Sequence, residues 1–129
     1  MPAAKPLQLI LARQLASLVA MPILLIDADG TLVFYNEPAE ALLNRRFDET
    51  GEIQADDLVE LIEVADEDRR PLPPDERPTR VARLERRAVS RTVWTRSRGG
   101  EWKHLQVTAV PLVGEGATLF GVMHLLWEA

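Results

Sequence analysis

The apolar positions of this chain change their period along its length, and each period predicts an element. Leu7, Leu11, Leu15, Leu18 and Val19 recur at helical spacing, with Leu9 and Ile10 widening the stripe. Pro6 sits where the first turn of a helix tolerates proline, and Pro22 ends the run. A stripe this broad leaves water by covering the chain's own sheet, by packing against a second copy, or by both. Residues 1–20 therefore read as an amphipathic helix for dimerisation or sheet capping, and residues 21–129 as the domain it serves.

From Ile23 to Tyr35 the pattern becomes two short apolar strands joined at Asp27-Ala28-Asp29-Gly30. Asn36 suits a helix N-cap, Pro38 falls in the first turn, and Ala39, Leu42 and Leu43 form the buried stripe of a helix from Glu37 to Leu43. Asp56 to Ile62 reads as a short helix. The segment 66–74 reads as a connector, because Pro71, Pro73 and Pro74 break any repeating hydrogen-bond pattern. A further helix is expected from Asp75, with Val81, Leu84 and Ala88 inward and Arg77, Arg80, Arg83 and Arg87 outward.

The last third reads as three strands: Val89–Ser97, Glu101–Val113 and Ala117–Trp127. Gly99-Gly100 and Gly114-Glu115-Gly116 turn them into an antiparallel meander. Leu105, Val107 and Ala109 share one face of the middle strand, and Trp102, His104, Gln106, Thr108 and Val110 the other. The final strand is apolar on both faces. It needs two covers, the internal helices on one side and the N-terminal stripe on the other.

Composition narrows the function. A chain of 129 residues, 47% hydrophobic and 27% charged, is one globular domain. It has no cysteine, which removes disulfides, thiolate nucleophiles, cysteine-ligated zinc and iron–sulfur clusters. The apolar stretch Leu15–Ile26 is too short to span a bilayer and contains Pro22, and no signal-peptide pattern precedes it. The expectation is a cytoplasmic protein with no membrane partner. A net charge of −5 argues against nucleic acid. The charge is segregated: Asp48–Glu76 holds twelve acidic and two basic residues, and Arg77–Lys103 nine basic and two acidic. A solvated connector beside a solvated basic helix explains this most simply; pairing between subunits is the sharper alternative.

Candidate chemistry is sparse. Asp27-Ala28-Asp29-Gly30 resembles the start of a calcium loop, but the twelfth position, which should be a bidentate Glu, is Pro38. The carboxylates at 66–68 have no histidine nearby, so no metal site is expected. The arginine row after Asp75 could capture phosphate, although a solvated face is commoner. His104 and His124 could share a face across a hairpin centred near Glu115, yet two histidines rarely make a metal site. Ser17, Ser90 and Ser97 lack a Gly-x-Ser-x-Gly setting, and there is no glycine-rich phosphate loop. No catalytic residue is assigned and no enzyme is expected. A small pocket enzyme using Asp27 and Tyr35 is the remote alternative.

Taken in order, several segments resemble a PAS domain over roughly Leu15 to Glu128. They are Ile26-Asp27-Ala28-Asp29-Gly30 with Asn36 and Ala39, Arg70-Pro71-Leu72-Pro73, and the helix after Pro78. The glycine pair before Trp102, Val107-Thr108-Ala109-Val110-Pro111-Leu112 and Gly121 complete the pattern. The resemblance implies an α+β fold: a five-stranded antiparallel sheet in the order 2-1-5-4-3, short helices on one face and an N-terminal helix. It implies a sensory or interaction role, commonly with dimerisation through that helix. Glu128 falls where the family often carries an acidic residue leading into a signalling helix, so an effector would be a separate protein or lie beyond these residues.

The cofactor stays open. Leu42-Leu43-Asn44-Arg45-Arg46-Phe47 echoes the Asn-Cys-Arg motif of flavin photoreceptors but lacks the thiol, which disfavours a cysteinyl flavin. The Arg77–Arg87 segment lacks the histidine that haem-binding members present there. Non-covalent flavin or a small organic ligand is compatible, and Trp94, Trp102 and Trp127 could stack on a ring. The leading expectation is a sensor whose pocket is lined by Tyr35, Leu42, Leu58, Leu84, Thr95, Leu105, Val107 and Ala109. Its homodimer would form through Leu7, Leu11, Leu15, Leu18 and Trp127. A ligand-free adaptor is the alternative.

Overall fold

A computed structural model of the chain describes residues 6–97 and 99–129. Helix α1 (Leu7–Ala16) leads into the hairpin β1 (Ile23–Asp27) and β2 (Leu32–Tyr35), followed by α2 (Glu37–Leu43), α3 (Phe47–Thr50) and α4 (Ala55–Leu61). Strand β3 (Ile62–Ala65) and helix α5 (Pro78–Glu85) precede the long strands β4 (Val89–Ser97), β5 (Lys103–Val113) and β6 (Leu119–Glu128). The strands form one antiparallel sheet in the order β2-β1-β6-β5-β4-β3.

Five of these strands lie in the expected order, and β3 adds a sixth. The sequence pattern ends a helix at Ile62 and begins a connector at Asp66, leaving 63–65 in no element. Instead α4 stops at Leu61, and Ile62–Ala65 pairs along the open edge of β4, with Glu63 opposite Arg96 and Val64 opposite Thr95. Pairing there satisfies backbone groups that an edge strand would leave bare. Four residues are too few for an alternation to stand out in sequence.

The two reversals are built alike. Asp27 Oδ1 accepts from the N–H groups of Asp29 (2.9 Å) and Thr31 (3.0 Å), and Asp66 Oδ1 from those of Asp68 (2.9 Å) and Arg70 (3.0 Å). The carboxylates that looked metal-like at Asp27 and Asp66 thus hold backbone turns. The residue at the fourth place has a positive φ, +92° at Gly30 and +63° at Arg69. Gly30 lies outside the left-handed well that arginine tolerates, and a Cβ there would sit 3.4 Å from the Arg83 guanidinium. Gly30→Ala is expected to cost about 1–2 kcal/mol in urea unfolding. A cost below about half that would show that the turn relaxes.

The sheet has a core on each face. On the inner face Leu24, Ile26, Val93, Leu105, Val107, Ala109, Val122 and Leu126 pack under α2, α4 and α5. On the outer face Ile23, Leu25 and Val33 pack under α1, with Met123 and Leu125 of β6 beside them. Strand β6 therefore has two covers, as its double-sided apolarity requires.

Helix α1 covers the sheet with a different face from the one its leucine pattern suggests. Leu9, Ala12 and Ala16 are buried, whereas Leu7, Leu11, Leu15 and Leu18 are 64%, 53%, 57% and 84% exposed. The reason is distance. Leu9 reaches over Gly121 of β6, where a Cβ would meet it at 3.1 Å and the neighbouring Ile26 carbonyl at 2.4 Å, and the small Ala12 and Ala16 complete the buried face. A leucine ridge would hold the helix off.

Helix α5 also differs from expectation. It begins at Pro78, after a 3₁₀ turn at Pro74–Glu76, and ends where Arg86 turns left-handed (φ 55°). Pro78 and Ala82 face inward, so Leu84, two residues beyond Ala82, points to solvent at 60% exposure, and Ala88 lies past the helix. The arginine row is not a free cationic face either. Arg80 pairs with Asp75, Arg83 donates to the Ala28 carbonyl, Arg86 to the Ala117 carbonyl, and Arg87 pairs with Glu85.

The segregated charges meet within the chain. Antiparallel β3–β4 pairing sets Glu63 against Arg96, and Glu76 lies 4.0 Å from Arg91. Such exposed pairs contribute little to stability, and they join part of the acidic segment to the basic one within the chain.

Candidate functional site

Between the inner sheet face and helices α2, α4 and α5 lies a cavity of about 80 Å³. Its wall is chiefly apolar, with Leu24 and Ile26 from β1, Leu42 and Leu43 from α2, Leu58 from α4, and Val107 and Leu126 from β5 and β6. The polar atoms come from Arg77, Thr79, Thr95, Ser97 and His124, and among the described residues no carboxylate lines it.

Of the residues expected to form a pocket, Leu42, Leu58, Thr95 and Val107 line this cavity. Tyr35, Leu105 and Ala109 are buried in the surrounding core without reaching its wall, and Leu84 is outside it altogether. Tyr35 is engaged elsewhere. Its hydroxyl lies 2.9 Å from Thr50 Oγ1, its ring packs edge-on against Phe47, and burial pushes its phenol pKa up. Asp27 holds its turn and Tyr35 its helix contact, so the pair considered for an enzyme does not meet at the cavity.

Sequence reading missed Arg77 and His124 as cavity residues. His124 stands opposite Leu24 on β1 and Ala109 on β5, and the small Ala109 leaves its ring room. The parity of β6 was the available signal, since His124 shares a face with Val122 and Leu126. His124 lines the cavity and is partly buried as a residue. Its Nε2 has no hydrogen-bond partner among the described residues, and burial pushes its pKa down to about 4, so it is neutral near pH 7. His104 is on the opposite face, because it lies five residues from Ala109 on the same strand. There it stacks on Trp94 at 4.4 Å and its Nε2 lies 2.9 Å from Glu67. The two histidines do not come together.

Arg77 is the N-cap of α5, and Pro78 after it holds it in extended backbone (φ −67°, ψ 134°). Its Nε is buried without a partner among the described residues, and burial pulls its pKa down from the usual value, though guanidinium stays charged at neutral pH. Each such orphaned nitrogen costs about 1–3 kcal/mol.

Asn36, considered as a ligand contact, is consumed inside the fold. Its Oδ1 accepts from Ile23 N–H (3.0 Å) and Ala39 N–H (3.2 Å), and its Nδ2 donates to the carbonyls of Ala16 (3.0 Å) and Met21 (2.9 Å).

No protein-family model and no curated protein matches the sequence. Solved structures do match the fold. The PAS domain of nitrogen regulation protein NR(II) from Vibrio parahaemolyticus gives a TM-score of 0.63 at 16% identity, covering 92% of this chain and 98% of that one. The Rhodobacter sphaeroides LOV protein gives 0.69 at 12% identity, covering 94% and 67%. The light-state dimer of the fungal blue-light photoreceptor Vivid gives 0.62 at 14% identity, covering 99% and 97%. The chain has the PAS fold.

The resemblance to flavin and haem members can be tested against this PAS cavity. At about 80 Å³ it is well below the roughly 300–1,000 Å³ of sites for drug-sized ligands. A flavin ring system would have to spread the helices from the sheet, and a porphyrin more so. A smaller organic molecule needs no such opening. Among the described residues no helix is long and apolar enough to cross a membrane.

Proposed function

We propose that this PAS-fold chain is a sensory module that binds a small organic ligand in the cavity and relays occupancy through the sheet to α1. The cavity carries this reading, because an enclosed, chiefly apolar space with unpaired polar nitrogens among its described lining residues is destabilising unless something fills it. Strand β6 supplies the route. His124 and Leu126 face the cavity, while Met123 and Leu125 face the core beneath α1, so a shift of one strand is felt on both sides. Thermal-shift measurements across a metabolite panel, with native mass spectrometry of freshly purified protein, test it. Stabilisation by small ligands is expected; a panel without effect and a spectrum without retained ligand would defeat the sensing role.

The exposed leucines of α1 favour a homodimer in the same reading. Leu7, Leu11 and Leu15 stand on the helix face away from the sheet, an apolar ridge that a second copy would bury. Vivid, among the structural neighbours, is recorded as a light-state dimer. Deleting residues 1–20 would also strip the outer core, so surface charges make the sharper test. Leu11→Glu with Leu15→Glu is expected to give a folded monomer where the unaltered chain sediments as a dimer. An unchanged dimer in analytical ultracentrifugation would move the interface elsewhere.

A further inference from the structure

Two buried side-chain nitrogens lack a hydrogen-bond partner among the described residues, and both belong to one cavity. They are Arg77 Nε and His124 Nε2. Buried polar atoms are otherwise almost always paired, so two orphans on one wall point to a missing acceptor. Both can donate: the guanidinium always, and a neutral imidazole in the tautomer with its proton on Nε2.

Charge narrows the acceptor. Twelve acidic residues lie between positions 48 and 76, yet none of the described ones pairs with Arg77. Its sequence neighbours Asp75 and Glu76 are taken by Arg80 and Arg91. Among the described residues the wall thus carries one positive charge, one neutral donor and no anion, in a space of about 80 Å³ whose remaining lining is mainly leucine, isoleucine and valine. A phosphate would bring more charge and more oxygens than one guanidinium can match. A neutral hydrocarbon would leave both nitrogens orphaned.

We propose that the cavity receives a small apolar monocarboxylic acid. Arg77 Nε–H and His124 Nε2–H donate to its carboxylate, and the aliphatic wall encloses its hydrocarbon part. The proposal rests on the cavity being a ligand site and names the chemistry of that ligand. A charge-assisted contact to guanidinium inside an apolar wall gives acids their advantage over neutral twins. The wall's size limits them to short branched or single-ring acids.

The test uses the full chain with isovalerate and benzoate as probes, and isovaleramide and benzamide as their neutral twins. By titration calorimetry, at least one acid is expected to bind at least tenfold tighter than its amide. Arg77→Met should erase that difference while leaving the protein folded, since it replaces an unpaired buried charge with an apolar side chain. His124→Gln, which keeps an N–H donor, should retain acid binding to within a few-fold, and His124→Leu should weaken it further. The ¹⁵N–¹H signal of Arg77 Nε provides a readout independent of variant folding, and acid is expected to shift it. Amides that bind as well as acids, or acids that bind Arg77→Met unchanged, would overturn the carboxylate assignment while leaving ligand sensing intact. If acids, amides and the metabolite panel all fail to bind, both readings fall together.

Discussion

Replacing Asn36 with alanine is expected to remove about 3–5 kcal/mol of folding stability, the largest effect of any single polar side chain here. The side chain is 2% exposed and makes four short bonds to four different residues. It caps α2 at Ala39, closes the start of β1 at Ile23, and ties the end of α1 and the following turn through the Ala16 and Met21 carbonyls. Alanine leaves those partners, which are buried or partly buried, without their hydrogen bonds. Asn36→Asp separates the roles. It keeps the acceptor for Ile23 and Ala39 but turns the two donated bonds into repulsion against carbonyls, so α1 should loosen first. Urea unfolding gives the total, and amide exchange within α1 gives the local part. A loss under about 1 kcal/mol for the alanine variant would show that the three elements are held by packing alone.

Acidification from pH 7 to pH 5 is expected to cost the protein about 2 kcal/mol through His124 alone. The sign follows from where protons bind. The imidazole titrates at 6.5 in the unfolded chain and about 4 in the fold, because burial penalises its charged form. Between those values the unfolded chain takes up a proton that the folded chain refuses. The contribution is therefore whole above pH 6.5, lost progressively on descent to about 4, and constant below that. Carboxylates titrate in the lower part of this window, so the informative quantity is the difference between the unaltered protein and His124→Leu, both by urea unfolding. Equal pH slopes would mean that His124 reaches water in the fold. A carboxylate in the cavity would oppose the effect by stabilising the charged ring.

Much of the β architecture was legible because it is written in local periods. Glycine pairs separated the three long strands, alternation assigned Leu105, Val107 and Ala109 to one face, and an apolar β6 demanded two covers. Val89–Ser97 and the helix Glu37–Leu43 appear with the bounds their patterns suggest. Strand β3 was hidden because four residues beside a helix carry too little period, and their partner Trp94–Ser97 is about thirty residues away. The misread face of α1 has another cause. Leucines make the stronger hydrophobic signal, but the buried side carries Leu9, Ala12 and Ala16, with Leu9 over Gly121, and that fit is a property of the pair, not of the helix.

The candidate site was less legible. Leu58 and Thr95 entered only as expected pocket residues, whereas Leu42 and Val107 could be placed on inward faces by spacing. Arg77 and His124 could not, since one was counted into a solvated arginine row and the other into a possible histidine pair.

Sequence by itself determined the PAS-like order of elements, the two-sided burial of the last strand and the turn chemistry at Asp27, because each depends on neighbours within a few residues. Only the tertiary structure decided that a small space survives between sheet and helices, that Arg77 and His124 meet it unpaired, and that α1 keeps its leucines outward. Voids and orphaned polar atoms arise from how distant side chains fill a shared volume, and no local pattern encodes that sum.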